Sequence, residues 1–209
     1  MANPNVIIHG VGLVPLNATE QDFMEIEVQS NNAAAIYPGY PVVAQSDGSV
    51  LRTAAAGGAG STAVCIEILS LKDAVTGQVR TTGIRRVPAN TVWTADKDRT
   101  RILVCLLNQH IRWKMMTDAA VASIAAARAT RWANINHVYG TESPANGLGN
   151  CKAAIAGVNT TDTLQWRIIN PLLDVPGNDP TQAGYALVVV PNVPPVGLPP
   201  LFGGSATGV

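Results

Sequence analysis

The chain is 209 residues long, with 47% hydrophobic and 13% charged side chains and a formal net charge of zero, whereas soluble domains ordinarily carry about 25% charge. That balance argues against a nucleic-acid partner, and no stretch reaches the roughly 20 uninterrupted apolar residues that a membrane helix needs. The length suffices for a substantial core, in one domain or two small ones, and a charge-poor chain that spans no membrane is expected to hide apolar surface in an assembly.

The charge is unevenly spread. Residues 1–71 hold six acids and one base, residues 72–114 nine bases and three acids, and residues 115–209 five acids and four bases. The middle bases are scattered without interleaved aromatics, so they read as solvated strand faces or a patch for an acidic partner. The cysteines, Cys65, Cys105 and Cys151, are odd in number and lack metal-ligand spacing. The opening residues also lack the basic and small-residue pattern of a signal peptide, so reduced, buried thiols are expected.

Residues 1–18 carry Pro4, Gly10, Gly12 and Pro15 among aliphatics and are expected to form an extended arm. "FMEIEVQS" (23–30) alternates acidic and aliphatic residues with the period of a half-buried strand. "YPGYPVVAQSDGSVLRTA" predicts strands at 41–45 and 49–53 around an Asp47-Gly48 turn. The small-residue spacer "AAAGGAGS" leads into the strand "TAVCIEILSL", and a second hairpin turns near Thr76 and Gly77. "RRVPANTVW", "TRILVCLL" and "HIRWKMM" are predicted strands. "TDAAVASIAAARATRW" (117–132) predicts the one helix, with Thr117 or Asp118 as N-cap and Arg128 and Arg131 toward its C-terminal end. After a connector at 140–150, "CKAAIAGV", "TLQWRIINPLL" and "YALVVVPN" read as the last strands. Many short strands with one short helix predict a mainly-β fold, a small barrel or sandwich, spanning 19–190 in one piece or as lobes 19–116 and 117–190. Residues 191–200 then hold five prolines, so 191–209 is expected to be an extended tail.

Chemistry-bearing patterns are few. "GGAGST" (57–62) lacks the lysine and following helix of a phosphate loop, and "GVGLVP" (10–15) puts Pro15 where a dinucleotide motif needs glycine. His9, His110 and His137 have no ligand-type partner at metal spacing, and no G-x-S-x-G occurs. The acid pairs Glu25/Glu27 and Asp96/Asp98 suit a two-carboxylate hydrolase only if the fold gathers them. Trp93, Trp113, Trp132 and Trp166 serve either as core and interface anchors or as a sugar-stacking surface. The expectation is a protein without enzymatic activity, cofactor or metal.

Two stretches resemble a known family. "YPGYPVVAQSDGSVLRTAAAGGAGSTAVCIEIL" is similar to a strand–hairpin–spacer–strand pattern of small β-rich phage coat and head-decoration proteins. "RILVCLLNQHIRWKM", the connector "GTESPANGLGNCKAAI" and "NTTDTLQWRIINPLLDVPGNDPTQAGYALVVVPN" together resemble the closing segment of tailed-bacteriophage virion proteins that decorate the capsid. There "LQWRII" (164–169), "VPGN" (175–178) and "YALVVVPN" (185–192) occupy the places of a strand, a Pro/Gly/Asn loop and a final valine-rich strand. The resemblance covers residues 36–192. It departs from the pattern at "NQH" (108–110), where an acidic turn is expected, and in the Pro-rich tail.

The resemblance implies a capsid decoration, or cement, protein: a non-enzymatic virion component assembled in the host cytoplasm, bound outside the mature shell of the phage major capsid protein, and self-associating as a trimer. Its expected shell contacts are Val6, Ile7, Ile8 and Leu13 in the arm, and Pro194, Pro195, Leu198, Leu201 and Phe202 in the tail. The alternatives are a carbohydrate- or receptor-binding surface module using the tryptophans, and a small hydrolase built on an acid pair.

Overall fold

A computed structural model describes residues 12–54, 60–72, 76–93, 99–142, 149–160 and 164–192. The alternating stretches of the first half form β2 (Phe23–Glu27), β3 (Pro41–Ala44), β4 (Val50–Arg52), β5 (Ala63–Lys72), β6 (Val79–Arg80) and β7 (Arg101–Leu106). They pair antiparallel in the order β2-β7-β5-β3-β4, with β6 on the distal part of β5. The β3–β4 turn works as its sequence predicts: Gly48 takes φ 83°, and Ser49 N–H and Oγ–H both donate to Asp47 Oδ1 at 2.9 and 2.6 Å.

The second sheet contains β1 (Val14–Pro15), β8 (Trp113–Met116), β9 (Asn134–Ile135), β12 (Trp166–Pro171) and β13 (Ala186–Pro191), in the order β1-β8-β13-β12-β9 and wholly antiparallel. A hairpin of β10 (His137–Tyr139) and β11 (Cys151–Ala153) joins this sheet through a parallel bridge from Thr117 to Ala153.

The two sheets face one another and neither closes on itself, so the fold is a sandwich and not a barrel. The shared core takes Val64, Cys105 and Leu107 from the first layer and Trp113, Met115, Trp166, Ile168, Leu187 and Val189 from the second, with Tyr37, Tyr40 and Tyr185 between. The first sheet also buries its other face. Ala63, Cys65, Ile68, Ile102 and Val104 pack there against Val28, Ile36 and Val87. Strand alternation explains both cores at once: Val64 points one way, Ala63 and Cys65 the other.

Four expectations change. "RRVPANTVW" (85–93) gives one bridge, Ile36 to Val87, in place of a strand, because Pro88 lacks an N–H and Asn90 turns left-handed at φ 57°. The helix is only α1 (Ile124–Ala129), capped by Ser123, whose Oγ accepts from Ala126 N–H. Asp118 instead accepts from Ile155 N–H at 2.9 Å, which holds the turn after β11. Residues 12–18 do not hang free, since β1 pairs with β8 and Leu13 N–H donates to Gly39 O. Finally, a division at 116/117 cuts across the molecule, because the second sheet draws β1 and β8 from before it. No helix among the described residues is long and apolar enough to cross a membrane.

Candidate functional site

Of the expected contact residues, only Leu13 lies within the described part. It is 2% exposed and packs into the shared core, so it anchors the arm to its own sandwich and offers nothing to a partner. The cause is a close backbone crossing: a Cβ on Gly12 would stand 2.8 Å from Gly39 Cα, so two glycines let the chain pass and carry Leu13 inward. Val6, Ile7, Ile8, Pro194, Pro195, Leu198, Leu201 and Phe202 lie outside the described residues.

The tryptophans separate into three environments. Trp113 and Trp166 fill the core edge to face at 6.5 Å between ring centres. Trp93 is half-buried; its indole N–H donates to Val28 O, and Arg99 stacks 5.2 Å from its ring. Trp132 alone is 60% exposed. It follows α1, where the chain turns back toward β12 and Trp132 N–H donates to Ile168 O at 2.8 Å. That turn needs φ 68°, the left-handed conformation usually given to glycine, which costs a bulky residue about 1–2 kcal/mol.

The exposed indole borders an open groove of about 230 Å³ on the outer face of the second sheet. Strand alternation places it there: Trp166 and Ile168 point into the core, leaving Arg167 and Ile169 outward, with Val190 directly across from Arg167. Gln109, Pro191 and Asn192 close one end. The groove therefore offers an apolar floor and an indole face beside the Gln109 amide, while Arg167 Nε–H donates to Asn134 Oδ1 at 3.4 Å and Asn192 Nδ2–H to Leu164 O at 2.9 Å. In the sequence Trp132 stands as one of four tryptophans. The alternation of "QWRIIN" was the available signal for the outward pair.

A second cluster lies inside. Arg52 stacks 4.5 Å from the Tyr139 ring centre and 5.7 Å from that of Tyr40, and its Nη1 donates to Glu142 Oε1 at 2.6 Å and Ala35 O at 3.2 Å. Tyr40 Oη–H donates to the same carboxylate at 3.1 Å, and Tyr40 Oη accepts from Asn150 N–H at 2.8 Å. Tyr139 Oη–H donates to Thr53 O. Behind them His137 is 0% exposed, its Nδ1 accepting from the Trp166 indole N–H at 3.4 Å. Burial lowers its pKa to about 4, and burial likewise raises the thiols of Cys65 and Cys151, and that of Cys105 to about 12. The neutral His137 imidazole, bonded to Trp166, ties the β10–β11 hairpin to β12, and Arg52 stacked on Tyr139 ties it to β4. They act as structure.

The remaining candidates resolve simply. Glu25 pairs with Arg101 of β7 and Glu27 with Arg99, two residues before it, so these acids are charge-paired on the surface of the first sheet. Asp96, Asp98 and His9 lie outside the described residues. Asp22 accepts from Thr19 N–H and Oγ1–H and faces His110 Nε2 at 3.3 Å at a surface turn. The described residues contain no group of three or more histidines, cysteines or acids placed to hold a metal ion. A shallower depression of about 360 Å³ runs between Ile124 and the β12–β13 loop, past Val175 and Pro180. Comparison with protein-family models, curated proteins and solved structures finds no match to this chain.

Proposed function

We propose that this chain is a structural binding module of a virion: a decoration protein that binds the outside of a mature tailed-phage shell and bridges neighbouring capsomers. The observation that carries the reading is the placement of the two chain ends. β1 and β13 run in the same direction within one sheet, with Val14 level with Val188 through Lys114. The chain therefore enters this layer at one end and leaves it at the other, after Pro191. A layer whose first and last described strands open at opposite ends suits bridging, because whatever binds at one end is a different neighbour from whatever binds at the other.

The resemblance of residues 36–192 to capsid-decorating proteins supports the same reading. The mechanism is linkage: a ligand that binds only the mature shell stabilises it by RT ln(1 + [L]/Kd) per site, about 2.7 kcal/mol at a hundredfold excess over Kd. The test is co-sedimentation with mature capsids stripped of this protein. Saturable binding at a lattice-defined stoichiometry, with a raised shell melting temperature, is expected, and removal of 193–209 should weaken it. No binding to any maturation state would overturn the reading.

One observation favours a second reading, a carbohydrate- or receptor-binding surface module: the exposed Trp132 indole lies in a groove with Arg167 and Gln109, an aromatic face beside polar side chains of the kind a stacked sugar uses. Glycan-induced quenching of Trp132 fluorescence would support it.

A further inference from the structure

The five strands of the second sheet contain no carboxylate: they read "VP", "WKMM", "NI", "WRIINP" and "ALVVVP". The first sheet, by contrast, carries Glu25, Glu27 and Glu67 among its bases. Alternation sends Trp113, Met115, Trp166, Ile168, Leu187 and Val189 into the core, so Lys114, Arg167, Val188 and Val190 take the outer face. Register then sets two rows across that face. In one, Val14 lies opposite Lys114, Lys114 opposite Val188, and Val188 opposite Asn170. In the other, Leu16 N–H donates to Arg112 O and Val190 lies opposite Arg167. The β8–β13 register, carried two residues on from Lys114 and Val188, brings Arg112 opposite Val190.

Part of this face is closed, since Met116, Ala186 and Val188 are buried. The open part holds Val14 and Leu16, 37% and 50% exposed, and Val190, with Arg112, Lys114 and Arg167 between them. Its positive charge is uncompensated. Arg167 donates to the neutral amide of Asn134, and nearby Arg131 to that of Asn170. The side chains of Arg112 and Lys114 make no hydrogen bond or ion pair among the described residues. On the first sheet Arg99 and Arg101 are instead neutralised by Glu27 and Glu25. The basic middle of the chain thus divides, and Arg112 and Lys114 bring their share of it to a face without acids.

We propose that this open part of the second sheet docks an acidic protein surface, with carboxylates meeting Arg112, Lys114 and Arg167. Aliphatic side chains between the cations favour a protein over a nucleic acid, because a phosphate backbone has no apolar surface to bury against them. The spacing agrees: Arg112 and Lys114 stand about 7 Å apart along their strand, the repeat of alternate residues on a partner strand. The inference deepens the capsid reading by naming the face that meets the shell, and rests on that reading for the partner's identity alone.

The experiment is an amide NMR titration of the full-length protein, at low salt, with a random copolymer of glutamate and tyrosine. Wild type should show shifts clustered on β1, β8, β12 and β13 that fade as salt is added. The double variant Lys114→Glu, Arg112→Glu should bind at least about tenfold more weakly. The neutral pair Lys114→Gln, Arg112→Gln should fall between the two, and it keeps the test decisive if reversed charges disturb folding. Arg80→Glu, on exposed β6 of the first sheet, should bind as wild type does. Absence of binding, shifts centred on the first sheet, or a double reversal that binds like wild type would each overturn the proposal. A DNA duplex that moves the same amides more strongly than the copolymer would assign the face to nucleic acid and overturn it too. Co-sedimentation with stripped capsids separates the two readings. Shells that bind wild type and the double reversal equally are met by another face, which overturns this inference; shells that bind neither overturn the capsid reading, and the copolymer then decides this one.

Discussion

Lowering the pH tests the buried His137 directly. Trp166 donates its indole N–H to Nδ1, so the proton of the neutral ring sits on Nε2, which faces Gln165 and the backbone of Ala54 without a contact of full hydrogen-bond geometry. A second proton would enter at Nδ1, against an indole N–H that is already a donor. Burial opposes the charged ring first, and the Arg52 guanidinium adds to that opposition. The folded pKa is therefore about 4 against an ordinary 6.5. The sign follows from proton counting: below pH 6.5 the unfolded chain binds a proton that the folded chain refuses, so stability falls as pH drops and levels off near pH 4. Taking those two values, the loss between pH 7.5 and pH 5 is about 2 kcal/mol and approaches about 3 kcal/mol at the plateau. That corresponds to a melting-temperature drop of about 6 °C at pH 5 for a chain of this size. Asp22, Asp47 and Asp179 add their own losses only as pH falls below the ordinary carboxylate value, since hydrogen bonds from Thr19, Ser49 and Thr181 hold them under 3.8. The assay is urea unfolding of wild type and His137→Gln from pH 7.5 to 4.5. The difference between the two isolates His137 from other groups, and an NMR titration of the ring should give a midpoint near 4. Equal slopes for both proteins, or a ring midpoint near 6.5, would refute the reasoning.

Two further outcomes follow from close contacts. Gly39→Ala puts a Cβ 2.7 Å from Gly12 Cα at φ 83°; it should destabilise by about 3 kcal/mol, adding left-handed strain to backbone overlap, and lower the melting temperature by about 10 °C. Arg52→Leu strips Glu142 of its cation and the Tyr139 ring of its stacked guanidinium. With both partners about one-fifth exposed, the expected loss in urea unfolding is about 2 kcal/mol, and adding Glu142→Leu should recover part of it.

The sequence shows β2, the β3–β4 hairpin, β5, β7, β12 and β13 because each has a local signature: period-2 alternation, an Asp-Gly turn, or an apolar run longer than its neighbours. Other elements have no such signature. β1 and β9 are two residues each, and they exist only because β8 and β12 offer an edge. The helix starts later than its sequence suggests because Asp118, a good cap by composition, has its carboxylate held by Ile155 N–H on another element. The 85–93 segment alternates well enough for a strand, but its covering role over the first sheet is a tertiary fact. Trp132 is the sharpest case. Nothing local distinguishes its indole from those of Trp113 and Trp166. Only the fold decides that two are core and one is displayed.

The low charge content needs a different explanation from the one the composition suggests. A chain with so few charges was expected to share a broad apolar face with other copies. The first sheet instead buries both of its faces within the chain, one against the second sheet and one against Val28, Ile36 and Val87. Two cores in one small protein consume many aliphatic residues, and the large hydrophobics left exposed among the described residues form small groups, Val14 with Leu16 and Ile124 with Val175 across one depression, beside the single residues Met24, Val79, Val92 and Trp132. Composition therefore gives no independent reason for a wide interface, and the trimer expectation loses the argument that motivated it. Among the described residues the exposed apolar surface is divided into small contacts. A single exposed indole beside a groove is a contact of that kind. It makes binding sensitive to one side chain, where a broad apolar face would absorb the same substitution with little effect.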